Sequence, residues 1–361
     1  MLMKVQLKEM LYLNFNLKFL IILFVYNNYQ MNFGSFFKYI FKNTLQYFDL
    51  EFLYNTILKQ NFNNKLISDS NDLININPQG IIFDMDGVLR IGENMTLYSD
   101  KIINYLNNKG IKNIIITNES RKSPPQIHDE LIKMRIDISI DNLYTSIYFM
   151  IKKLQNVSKE YDINIGLICS TDIEKYITDS LITDSLITDS LNKCNISISN
   201  EPIIGKLNII VIGEIDSTEY DNKYIDKLKN WLSYDSKIYI TTPDITVPDI
   251  DGWISPTNII EKVNNTSKID YISGKPNKDI TYYIQNVFEG IDMNDILFVG
   301  DNIDTDIKMS NIMGTKSLLL SSGVTSKNQL NNSDIQPDYI LESIQSLYIL
   351  LTNKDINTKK I

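Results

Sequence analysis

The chain has 361 residues, 43% hydrophobic and 22% charged, which is enough for two globular domains and too apolar for wholesale disorder. Its formal charge of −9 opposes a nucleic-acid backbone as main partner, and its lone histidine, His128, excludes multi-histidine metal sites. The two cysteines, Cys169 and Cys194, have neither a zinc spacing nor a disulfide framework, so catalysis is left to carboxylates, lysine and hydroxyls in a reducing, cytoplasmic setting.

Residues 1–77 read as an N-terminal extension of uncertain structure. Their apolar run, Phe19 to Tyr26, is too short for a membrane span of about 20 residues. No small-residue cleavage site follows it, so a secretory leader and a membrane partner are not expected. A helical extension, or a start upstream of a more natural one at Met31, explains the segment better.

From Gly80 the pattern alternates. Strands are predicted at Gly80–Phe83, Asn113–Thr117, Ile163–Cys169, Leu207–Ile212, Lys237–Thr241, Ile296–Gly300 and Lys316–Leu320. Helices are predicted at Ser99–Lys109, Pro125–Met134, Asn142–Leu154, Tyr220–Leu232, Lys278–Phe288 and Thr305–Met313. Such alternation implies an α/β fold with a Rossmann-like parallel sheet. Ile-Thr-Asp-Ser-Leu occurs three times in tandem, at 177–181, 182–186 and 187–191. Each copy turns an apolar pair by about 140° around a helix, so no continuous buried stripe is expected, and the repeat reads as an exposed expansion. Alanine is absent and the only arginines are Arg90, Arg121 and Arg135. A coding sequence poor in G and C explains both, and it removes functional weight from Asn- and Lys-rich stretches.

Four pieces carry chemistry. The first strand runs into Asp84-Met85-Asp86-Gly87, two carboxylates two residues apart, which repel unless a cation lies near them. The second predicted strand ends in Thr117-Asn118, a hydroxyl and an amide. Ser273-Gly274-Lys275-Pro276 puts a lysine on a turn before a helix. Gly300-Asp301 through Asp304-Thr305-Asp306 follows another apolar strand. Open parallel sheets bind ligands beyond the carboxyl ends of their strands, where all of these residues are predicted to lie.

In this order the four pieces resemble the haloacid dehalogenase-like hydrolase superfamily, and its nitrophenylphosphatase-like branch in particular, over roughly residues 79–350. Thr117-Asn118-Glu119-Ser120-Arg121-Lys122-Ser123 is similar to the family's TNNSxxS stretch, and Thr241-Thr242-Pro243-Asp244 with Pro248 to a segment of its cap. Asp86 and Thr117 are 31 residues apart, whereas 157 separate Asn118 from Lys275, so an inserted domain must lie between the second and third motifs. The resemblance makes this insertion an α/β cap at 146–255, between core segments 78–145 and 256–350, with a tail at 351–361. It implies an Mg²⁺-dependent phosphatase acting on a small phosphorylated substrate. Asp84 would be the nucleophile, Asp86 the acid and base, and Thr117, Asn118 and Lys275 the phosphate ligands. Asp84, the Asp86 carbonyl and Asp301 would hold the metal, with Asp306 orienting them and Asp304 less defined. It also allows a homodimer through the cap. Glu119 in place of a family Asn, and Ser255-Pro256-Thr257-Asn258 in place of a PGxG-like stretch, leave the substrate open. Two other readings compete. One is a catalytically idle homologue that docks through residues 1–77. The other is a phosphoreceiver, which the long insertion disfavours. No GxxxxGK[ST] loop supports a nucleotide triphosphatase, and His128 reads as a packing residue.

Overall fold

The computed structural model describes residues 77–187, 196–243, 252–263 and 269–358. The expectations for residues 1–76, Met31 included, and for Asp244, Pro248 and Cys194 lie outside them. The chain runs through β1 (Gly80–Phe83), α1 (Ser99–Lys109), β2 (Lys112–Thr117), α2 (Pro124–Lys133), β3 (Leu143–Thr145) and α3 (Ser146–Ser158). It continues through β4 (Ile163–Ile168), α4 (Thr171–Ile187), β5 (Ile196–Ile198), β6 (Leu207–Ile212), α5 (Asn222–Leu232), β7 (Lys237–Ile240) and β8 (Tyr271–Ile272). It closes with β9 (Ile296–Gly300), β10 (Lys316–Leu320), β11 (Tyr339–Leu341) and a last helix at Ile344–Thr358.

Six strands form one parallel sheet in the order β11-β10-β9-β1-β2-β3. Its central strands are buried on both faces, which is why they read as unbroken apolar runs. The chain builds outward from β1 on one side, then returns to β9 on the other. Gly80 therefore pairs with both Lys112 and Ile296, and the order reverses at β1. The carboxyl ends of β1 and β9 thus open onto a topological switch point, where helices on opposite faces leave a crevice.

The second sheet, β8-β7-β6-β4-β5, is also parallel and lies within the long insertion. One face packs Ile163, Ile165 and Leu167 against Ile147, Met150 and Ile173; the other packs Ile168, Ile210 and Ile212 against Leu228 and Trp231. Its edge strand β8 comes from Tyr271–Ile272, past residue 255, so the insertion's sheet draws on chain that the sequence assigns to the second core segment. Among the described residues no helix is long and apolar enough to cross a membrane.

Three local outcomes differ from expectation. The helix predicted from Asn142 begins at Ser146, because Leu143-Tyr144-Thr145 pairs with β2 as a strand and Thr145 Oγ1 caps the helix by accepting from the Tyr148 N–H. The helix predicted from Thr305 opens instead as a π-turn, Ile303–Ile307, before regular helix at Lys308–Met313. The repeat is not wholly exposed. Ile173 stands four residues before Ile177, and Leu181 four after it, so the first copy continues a buried stripe begun outside the repeat. The next residue, Ile182, is 51% exposed, as the five-residue period requires.

Candidate active site

Asp84 follows directly from β1, and its N–H is tied to Val299 O of β9 at 2.8 Å. Gly87 turns the chain immediately afterwards with φ +85°. A side chain there would put a Cβ 2.0 Å from Asp301 Oδ2, so only glycine lets the two acidic loops approach so closely. Asp84, Asp301 and Asp306 each bring a carboxylate oxygen within 4.8 Å of the others, and all three are buried.

Lys275 enters this group from the far end of the insertion. Its Nζ donates to Asp84 Oδ1 at 2.5 Å and to Asp306 Oδ1 at 2.7 Å. The other oxygen of Asp306 accepts the N–H groups of Asp301 (3.1 Å) and Asn302 (3.0 Å). Both Asp306 oxygens are thus engaged in holding Lys275 and the loop after β9. Asp301 Oδ2 accepts from the Val324 N–H at 3.0 Å.

The Asn118 amide, expected to bind phosphate, grips Lys275 at both ends. Its Oδ1 accepts from the Lys275 N–H (2.7 Å) and its Nδ2 donates to Lys275 O (3.1 Å). Gly274 makes this contact feasible: at φ +88°, a Cβ would stand 2.5 Å from Asn118 Oδ1. Thr117 is buried at the end of β2, and its Oγ1 accepts from the Glu119 N–H at 3.0 Å. Asn302 caps the π-turn, its Oδ1 accepting from the Asp304 N–H at 2.9 Å. His128 is half-buried on α2, with Nε2 within hydrogen-bond distance of Ile138 O, at 2.9 Å.

Burial and the neighbouring Asp306 and Asp301 push the Asp84 carboxyl well above its usual range, although the Lys275 ammonium pulls the other way. Burial, then Asp306, pushes Asp301 up to about 7. Burial alone would lower Lys275, but Asp306 and Asp84 keep it a cation. Three carboxylates thus face one ammonium. This oxygen-only, charge-deficient cluster fits a hard divalent cation.

Asp86 stands apart. Its side chain is 45% exposed and meets Arg90, whose Nε donates to Oδ1 at 2.8 Å. Arg90 also donates to Glu130 (2.9 Å) and Glu119 (3.5 Å), while Glu119 takes Arg121 through two nitrogens, at 3.1 and 2.9 Å. Ser120 Oγ donates to Glu214 Oε2 across to the insertion at 2.6 Å. No sequence motif marks Arg90, Glu130 or Glu214 as site residues. The signal available was the scarcity of arginine, since two of its three positions lie in this network.

Two family models match the chain: a haloacid dehalogenase-like hydrolase over residues 81–182 and a HAD-hydrolase-like domain over residues 272–347. They fall on either side of the central part of the insertion and between them hold the four pieces around Asp84, Thr117, Lys275 and Asp301. The chain belongs to the haloacid dehalogenase-like hydrolase superfamily. An acid sugar phosphatase of Staphylococcus haemolyticus is 23% identical over 79% of this chain and 99% of its own length. A hypothetical protein of Pyrococcus horikoshii superimposes at TM-score 0.61 with 26% identity, covering 75% of this chain and 99% of its own. The p-nitrophenyl phosphatase of Archaeoglobus fulgidus superimposes at TM-score 0.62 with 19% identity, over 76% of this chain and 99% of its own.

Proposed function

We propose that the chain is an Mg²⁺-dependent phosphatase that hydrolyses a small phosphorylated metabolite through an aspartyl-phosphate. The observation that carries the reading is the placement of Asp84 at the switch point, one oxygen held by Lys275 and Asp301 beside it. The relatives named acid sugar phosphatase point to sugar phosphates as the substrate class.

Lys275 fixes one Asp84 oxygen and turns the other toward an incoming phosphorus. That oxygen forms the new P–O bond as the ester P–O bond breaks, and Asp86 gives its proton to the leaving alcohol oxygen. Asp86 then takes a proton from water, which attacks the acyl-phosphate phosphorus and frees Asp84. Lys275 offsets charge on the transferred group throughout. Asp84, Asp301 and the Asp86 carbonyl would hold Mg²⁺, which when bound neutralises phosphoryl oxygens. Thr117 would meet the same oxygens, and Asn118 would serve by fixing Lys275.

The test is direct. The purified full chain should release phosphate from 4-nitrophenyl phosphate with Mg²⁺, and Asp84→Asn should abolish release while the circular dichroism spectrum stays the same. Unchanged turnover in Asp84→Asn would sink the mechanism. An inactive wild type across a panel of phosphometabolites would favour the idle homologue.

A further inference from the structure

We infer that Arg90 is a positioning residue for proton transfer by Asp86, an inference that rests on the phosphatase reading above. A general acid must sit within hydrogen-bond reach of the leaving oxygen. Asp86 is half-exposed and is not among the clustered carboxylates, so nothing in that cluster fixes its rotamer. Arg90 supplies the fixing contact. A tight loop brings it back over Asp86: the Gly87 N–H donates to Arg90 O (2.7 Å) and the Arg90 N–H to Met85 O (3.0 Å).

The guanidinium is only 4% exposed, and each edge is assigned. Glu130 and Glu119 take its two terminal nitrogens, and Arg121 holds Glu119 in turn. These contacts fix the plane so that Nε alone faces Asp86 and engages Oδ1 alone. A two-pronged contact would occupy both carboxylate oxygens. The single prong leaves Oδ2 for the leaving group and then for water. Arginine suits the task because it keeps its own proton at working pH and because its planar fork can be held by partners on two sides. A lysine would give a point charge with no fixed plane. In a chain with only three arginines, arginine at this position matches that requirement.

The test compares kcat/KM for 4-nitrophenyl and phenyl phosphate. The two esters differ only by the para nitro group, and phenolate is the poorer leaving group, with a conjugate acid near pKa 10 like tyrosine. For a reaction of this kind kcat/KM reports events up to loss of the phenol, so the later hydrolysis of the phosphoenzyme does not enter. Arg90→Met should lower the phenyl rate about tenfold more than the nitrophenyl rate, because only the poor leaving group depends strongly on the acid. Arg90→Lys should shift the ratio in the same direction and by less. Arg90→Met with Glu130→Gln neutralises the carboxylate that the single change would leave with Lys122 alone, so a misfolded single variant leaves the comparison intact. Equal losses on both substrates, or none, in a folded variant would overturn the role. A wild type inactive toward both esters would overturn the phosphatase reading and this one with it.

Discussion

Glu119 shows how a single substitution rewires a site. The family stretch has an amide-bearing Asn at this position; here the residue is a buried carboxylate clasped by Arg121 through a backbone N–H (2.8 Å) and two guanidinium nitrogens. Burial by itself would raise its pKa, but Arg121 and then Arg90 bring it below the ordinary glutamate value of about 4.3. A carboxylate depressed on folding contributes stability that is complete above its unfolded pKa and is lost as pH falls through the folded value. Glu119→Gln should therefore destabilise the protein by about 1–3 kcal/mol at pH 7, the range for hydrogen bonds to a charged group. In thermal melts from pH 7 down to pH 3, the gap between variant and wild type should close only below about pH 4.3. A gap that is constant over this range would show that the clasp is not electrostatic.

At the scale of elements, the sequence was most legible where one signal dominated. Mainly apolar runs mark β1, β6, β9 and β10 to the residue, broken only by Asn208 in β6 and by Lys316 and Ser317 in β10, because strands buried on both faces leave little room for polar residues. It was least legible where a tertiary partner decided the outcome. Leu143-Tyr144-Thr145 is a strand only because β2 offers an edge, and β8 is two residues that no local pattern marks. The site divides in the same way. Asp84, Lys275 and Asp301 were readable from motifs, whereas the grip of Asn118 on Lys275 and the fork of Arg90 depend on contacts spanning 157 and 40 residues. The repeat gives a test at this scale. Ile177→Ala removes a buried side chain and should cost about 2–5 kcal/mol. Ile182→Ala, the corresponding position of the next copy, should lie within about 0.5 kcal/mol of wild type. Similar losses for the two in urea unfolding would show that the helix does not present the face that the structure gives it.

Across the whole molecule, the switch point brings together residues from both ends of the fold, and in doing so it concentrates unfavourable charge. Asp84 and Asp301 both have raised carboxyl pKa values, with Asp301 near 7, so the folded chain without metal binds more protons than the unfolded chain between roughly pH 4 and 7. Stability falls with rising pH wherever the folded state holds the extra protons. The chelator-treated protein should therefore lose melting temperature as pH climbs through that window. A divalent cation competes for the same oxygens, so it should bind weakly at pH 5, where protons occupy them, and well at pH 8. At a concentration 100 times its Kd, Mg²⁺ should add about 2.7 kcal/mol, a shift of several degrees. Asp301→Asn removes both a proposed ligand and the charge that disfavours the metal-free cluster. That variant should melt higher than metal-free wild type at pH 8 and gain little from Mg²⁺. Wild-type melts at pH 5 and 8, with and without Mg²⁺, decide the matter. Equal Mg²⁺ shifts at both pH values, or no shift at either, would mean that these carboxylates do not form the metal site.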